Sequence, residues 1–114
     1  MTAFLNRRVN RVGCADYAKH MATSFAHEPD ANRYTMHMGD DLVCVADYSA
    51  RPGALYFTHT YTAPAKRGNG YAAALVGFAM DDVESRTDDR VVPVCSFVVD
   101  WFRAHPDRKN LLNR

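Results

Sequence analysis

Two glycines one residue apart, Gly68 and Gly70, stand where a run of alternating residues ending near Thr62 gives way to a run of helical period. This junction limits what the chain can become. Pro64 has no N–H to give and biases Ala63 away from helix, so a strand ends before the loop begins. The stretch Lys66-Arg67-Gly68-Asn69-Gly70-Tyr71-Ala72 therefore forms a tight strand-to-helix turn. Its backbone N–H groups are not covered by side chains, and the unpaired amides of a helix start lie beside them. Lys66 and Arg67 add charge of the same sign as the helix dipole, so an anion, best of all a pyrophosphate, is the natural occupant. A turn that binds nothing is the alternative the same residues allow.

The flanking chain supports this junction. Cys14, Tyr17, Ala18, Met21, Ala22 and Phe25 recur at helical spacing and predict an amphipathic helix over Gly13 to Ala26, within an N-terminal extension of residues 1–30. The domain proper is expected over 31–114. Tyr34, Met36 and Met38 alternate with polar neighbours in a strand from about Asn32 to Met38, Gly39-Asp40 turns the chain, and Leu42 to Ser49 follows as an interior strand. After Arg51-Pro52-Gly53, Leu55, Phe57, His59 and Tyr61 are expected on one face of a third strand and Tyr56, Thr58, Thr60 and Thr62 on the other. A largely buried helix runs from Gly70 to about Arg86, Arg90 to Cys95 is a short β-rich run, and Ser96 can cap a last helix that Pro106 ends. The tail from Asp107 to Arg114 is expected to fray.

Composition narrows the function. At 114 residues the chain makes one domain with a sufficient core. A hydrophobic fraction of 47%, a charged fraction of 24% and a net charge of +1 are ordinary for a soluble globular protein and argue against a nucleic-acid partner. Cys14, Cys44 and Cys95 are odd in number and widely spaced, and with the scattered histidines they make no zinc pattern. A reducing compartment and no metal are expected. No apolar run approaches the roughly 20 residues of a membrane span, so no membrane partner is expected. Arg7, Arg8 and Arg11 precede the first acid, Asp16, faintly as in a mitochondrial presequence. A basic extension on a cytoplasmic protein is the expectation, with the mitochondrial matrix as the alternative.

Three phosphate-loop chemistries compete for Lys66 to Ala72. The nucleotide P-loop needs G-x-x-x-x-G-K-S/T, and no Lys-Ser or Lys-Thr pair follows a glycine here. Gly68-Asn69-Gly70-Tyr71-Ala72-Ala73 satisfies the dinucleotide fingerprint G-x-G-x-x-A. However, no acidic residue ends the next strand, and fewer than twenty residues remain after Cys95 for the rest of that sheet. The third is a resemblance: Arg67-Gly68-Asn69-Gly70-Tyr71-Ala72 resembles the Q/R-x-x-G-x-G/A signature of the GNAT superfamily of N-acetyltransferases. His59-Thr60 on the preceding strand, the Ala-Leu-Val helix after the loop, Val92-Pro93-Val94-Cys95 and Phe97 to Pro106 resemble its small single-domain branch, over about Asn32 to Asp107.

The resemblance implies an α+β (α/β) fold, a mixed, mostly antiparallel sheet flanked by helices, with an acyl-CoA site at a splay between central strands. It implies acetyl-CoA as co-substrate, with the pyrophosphate held by Lys66, Arg67, Gly68, Asn69, Gly70, Tyr71 and Ala72. The pantetheine arm would lie beside Thr60, Tyr61 and Thr62, with a backbone N–H near Thr60 as oxyanion donor. The acceptor is then an amine of a small molecule or a protein, and an open site favours a macromolecular one. Two departures stand out: Trp101 occupies the place of the tyrosine that protonates the leaving thiolate in larger members, and Tyr61 the place of an acidic residue after His-Thr. An indole N–H cannot act as that acid. A CoA-binding module or acyl-CoA sensor without turnover is therefore the alternative. Cys95, at a strand end before a possible helix N-terminus, is a candidate nucleophile or a buried small hydrophobe. His59 is a candidate base or a satisfied core histidine.

Overall fold

The computed structural model describes residues 22–114. Its order is β1 (Thr23–Glu28), β2 (Arg33–Met38), β3 (Asp41–Arg51), β4 (Ala54–Thr62), α1 (Tyr71–Arg86), β5 (Arg90–Pro93) and α2 (Ser96–Ala104), with short 3-10 turns at Pro29–Ala31, Pro64–Lys66 and Pro106–Leu112. The five strands form one sheet in chain order; β1 to β4 pair antiparallel, and β4 pairs β5 parallel through the α1 crossover. This is the α+β, mostly antiparallel mixed sheet that the residue pattern and the resemblance imply.

Alternation puts Tyr34, Met36, Cys44, Ala46 and Phe57 on one face of the sheet, where Leu75, Val76, Ala79, Met80 and Val83 of α1 cover them. Each large apolar side chain so buried stabilises the fold by about 1.5–3 kcal/mol. Phe25 of β1 stacks on Phe78 at 5.0 Å between centroids. The helix expected over Gly13 to Ala26 is therefore corrected in its described part: Thr23–Ala26 open β1 and pair with Met38–Thr35. Sheet pairing and the Phe25–Phe78 stack override the helical spacing. The rest of that expectation lies outside the described residues.

The C-terminal end also differs from expectation. It does not fray: Leu111 is fully buried, Arg108 reaches Asp81 at 2.9 Å and Glu84 at 2.8 Å, and Asn110 donates to Glu84 at 3.0 Å. Asp81 and Glu84 thereby clasp this segment to α1. Asp82 has a second structural role. It accepts from Tyr34 Oη at 2.6 Å and from Arg86 Nε and Nη2 at 2.7 and 2.6 Å. Arg86 also donates to His27 Nδ1 at 2.8 Å, which leaves the His27 proton on Nε2, where it meets Tyr48 Oη at 2.6 Å. Burial lowers the His27 pKa, Asp82 opposes the shift and Arg86 adds to it, so the imidazole is held neutral.

Candidate functional site

The site begins where β4 and β5 part. The parallel ladder runs from Ala54↔Arg90 to Phe57↔Pro93, and then the carbonyl of Phe57 accepts both Val94 N–H and Cys95 N–H at 3.0 Å. Beyond that fork β5 turns into α2 while β4 continues to Thr62, so among the described residues the Thr58–Thr62 edge has no strand partner on that side. A strand edge of this kind offers free backbone donors and acceptors to an extended ligand.

At the far end of β4 the glycine loop closes the site. Gly68 and Gly70 take φ of 84° and 76°, the left-handed region. A Cβ built on either would meet nothing within 4 Å, so the backbone angle, and not crowding by the protein, selects glycine there. Gly70 caps α1 with no side chain of the described residues bonded to the helix amides, which leaves the positive end of a 16-residue helix open, as an anion site would require. Asn69 Nδ2 donates to the carbonyls of Lys66 and Arg67 at 3.0 and 3.5 Å, and Arg67 Nε donates to the Thr62 carbonyl at 3.2 Å. Both side chains thus brace the loop. A cavity of about 310 Å³ lies against it, lined by Thr62, Lys66, Gly68, Gly70, Tyr71 and Ala72, with Arg67, Ala73 and Phe97 completing the wall.

Cys95 closes the other side of the fork. The helix start is one residue earlier than Ser96 suggests, because Cys95 itself is the N-cap of α2 in extended conformation. Its sulfur stands 3.5 Å from Thr60 Oγ1. Burial pushes the thiol pKa up, but the Thr60 hydroxyl and the amides of Phe97, Val98 and Thr60 stabilise the thiolate more, and the net pKa is lowered. Cys44, by contrast, is fully buried beside Thr62 Oγ1 at 3.2 Å, and burial raises its pKa.

His59 is not where alternation alone would put it. The β3–β4 register shifts between Asp47 and Tyr48, so that Asp47 pairs with His59 but Tyr48 pairs with Phe57, and Thr58 is left as a bulge. Beyond the bulge the faces exchange: Thr60 and Thr62 join Phe57 on the helix side, and His59 and Tyr61 turn to the open face, both exposed. The core-histidine reading is therefore corrected, and His59 and Cys95 are not brought together as a pair. Thr60, Tyr61 and Asn69 do not line the cavity wall. Thr60 faces Cys95, Tyr61 pairs through its backbone with Val45 of β3 and turns its side chain to the open face, and Asn69 is turned into the loop. Trp101 is 6% exposed, stacked on His105 at 4.1 Å and packed in the core. Phe97 and Ala73 are the wall residues that sequence reasoning missed. Ala73 was legible as the next amide of α1, whereas nothing local to Phe97 points to a cavity built by α1.

A mixed sheet that splays beside a helix N-terminus agrees with an acyltransferase-type domain, and the family comparison points the same way. The family model described as GCN5-related N-acetyl-transferase matches residues 33–111, and the chain belongs to that family, within the GNAT superfamily. A comparison with curated proteins finds no match.

Proposed function

We propose that this protein transfers an acetyl group from acetyl-CoA to an amine, and that it works in a reducing compartment such as the cytoplasm. The observation that carries the reading is the pairing of a helix N-terminus whose cap is a glycine with the Thr58–Thr62 edge, which has no strand partner among the described residues. The two fit the two halves of CoA: Gly68 to Ala72, with Lys66 and Arg67, suit the pyrophosphate, and the strand edge suits the amide-bearing pantetheine arm. The open space where a Cβ would stand at Gly68 and Gly70 leaves room for close approach of phosphate oxygens.

At the fork the Thr60 amide is the donor that could meet the oxygen charge developing on the thioester carbonyl. A neutral amine attacks that carbon, the new C–N bond replaces the C–S bond, CoA leaves as thiolate and the amine gives up a proton. His59 on the open face is the base this reading offers for that proton. Cys95 supplies a two-step variant, in which its thiolate takes the acetyl group by thioester exchange and then passes it to the amine. Intact-mass measurement after acetyl-CoA treatment separates the routes. One added acetyl group, removed by hydroxylamine, absent in Cys95→Ala and formed at least as fast as turnover, supports the covalent route; equal activity of Cys95→Ala sinks it.

The test of the reading itself is release of free CoA thiol from acetyl-CoA, with and without candidate amines. A second reading, a CoA-binding module that never turns over, is favoured by the position of Trp101, since no tyrosine stands in its place to protonate the leaving thiolate. Binding of acetyl-CoA with no thiol release in the presence of any amine would decide for the module.

A further inference from the structure

Helix α2 separates two cavities. One flank, through Phe97, looks onto the glycine-loop cavity. The opposite flank, Val99, Phe102 and Arg103, walls a groove of about 380 Å³ whose far side is Pro106, Lys109 and Leu112 from the C-terminal segment. The helical period links this groove to the fork. Cys95, Val99 and Arg103 recur at i, i+4 and i+8, so one stripe of α2 leads from the thiol into the groove, with Val99 about 6 Å and Arg103 about 12 Å along the axis from Cys95. Pro93 lines the mouth, and between it and Cys95 stands Val94, 56% exposed, an apolar residue that the fold of the described residues does not cover.

The groove has a definite chemistry. Val99, Phe102, Pro106 and Leu112 make it apolar, while among the described residues its two charged lining residues, Arg103 and Lys109, are both cations and none carries a carboxylate. Among the described residues Lys109 forms no ion pair, and Arg103 meets only the exposed Asp100 at 3.6 Å, a pair of little strength. An occupant with an apolar body and a negative group at the end remote from Cys95 matches this arrangement.

We propose that this groove is the acceptor site and that the acceptor is the N-terminal segment of a peptide, its α-amine at the fork, an apolar third residue in the groove and an acidic fifth residue against Arg103 and Lys109. The spacing follows from an extended peptide, which advances roughly 3.3 Å per residue. Residue three then falls level with Val99 and residue five level with Arg103. The assignment rests on the acetyltransferase reading and adds to it the class of acceptor and the side from which it approaches, with donor and acceptor on opposite flanks of α2 and meeting at Cys95 and Thr60.

The test uses the full chain loaded with CoA and three free-amine peptides, Gly-Gly-Phe-Gly-Asp, Gly-Gly-Phe-Gly-Lys and Gly-Gly-Ser-Gly-Asp, titrated while the methyl signals of Val99 and Leu112 are followed by NMR. The first peptide should shift both signals and bind about tenfold more tightly than the other two. The exposed cations can be reversed without disturbing the core, and Arg103→Glu combined with Lys109→Glu should transfer the preference to the lysine peptide. Acetyl-CoA should raise the melting temperature of both proteins alike. If it does so while no peptide moves the groove signals, or while the preference ignores the charge reversal, the groove proposal falls and the donor reading stands. If the peptides bind as expected but acetyl-CoA has no effect, the donor reading fails and the acceptor role falls with it.

Discussion

The two helix N-termini at this site obey the same physics and end in opposite states. α1 starts at Gly70, exposed, with no side chain on its first amides and with Lys66 and Arg67 close by. α2 starts at Cys95, partly buried, with its own sulfur near the Phe97 and Val98 amides and the Thr60 hydroxyl. Both present the positive end of a helix to a negative group. At α1 the described residues supply no such group, and an external anion would fit there; at α2 the chain provides it as a cysteine whose thiolate is favoured. On the function proposed above, one device would serve ligand binding where the cap residue is a bare glycine and nucleophile activation where it carries a thiol.

The sharpest way to break this contrast is to fill the empty cap. Gly70→Val should abolish the rise in melting temperature caused by acetyl-CoA, a stabilisation of about 2.7 kcal/mol for a ligand at a hundred times its dissociation constant. It should also cost about 1–3 kcal/mol through its φ of 76°. Gly70→Asn, which tolerates that φ, should fold more nearly as the parent and still lose ligand response. A normal response in either variant would show that the α1 cap does not hold the ligand.

A smaller effect separates a glycine at the cap from one inside the same helix. Gly77 sits mid-α1, where an added Cβ would stand 3.9 Å from Trp101 Cζ2, an ordinary contact. Gly77→Ala should therefore raise stability by up to about 1 kcal/mol and leave the acetyl-CoA response unchanged. Destabilisation would mean that Trp101 packs more tightly on α1 than this distance allows.

The filled cap is tested by titration. Alkylation of Cys95 should reach half its maximal rate below the ordinary thiol range, and Thr60→Val should move that midpoint upward, since it removes the hydroxyl at 3.5 Å. The folded thiol ionises at lower pH than the unfolded one. Its contribution to stability is therefore complete above the ordinary thiol pKa and is lost as the pH falls through the folded value. Cys95→Ser should flatten that dependence.

The smallest effect should ignore both caps. His27 is held neutral far from them, so in the unfolded chain it binds a proton more readily, and stability should fall as the pH drops below about 6.5 until the folded imidazole protonates. His27→Gln should remove this acid-side loss and leave the acetyl-CoA response intact, as read by melting curves across pH.

Much of the site was legible because its signals are local. The Pro64 stop, the two loop glycines and the start of a 3.6-residue period near Gly70 all act within a few residues, and the structure turns there as they require. The faces of β4 were not legible. Perfect alternation would put His59 with Phe57, and the bulge that separates them comes from the register against Asp47 and Tyr48, set by packing in the neighbouring strand. The β1 strand and the clasped tail were missed for a related reason. Their partners, Met36 and Phe78 for Phe25, and Asp81 and Glu84 for Arg108, lie far along the chain.

The sequence by itself determined the order of strands and helices over Arg33 to Ala104 and the tight glycine turn of the loop. These depend on short-range terms: proline's missing N–H, glycine's freedom at positive φ and the period of apolar residues. Only the tertiary structure decided that β4 and β5 part after Phe57, that Cys95 and not Ser96 caps α2, and that Thr60 faces that sulfur while His59 turns away. Each depends on which groups meet across the sheet, and a pairing shifted by one residue exchanges the faces without changing any local preference.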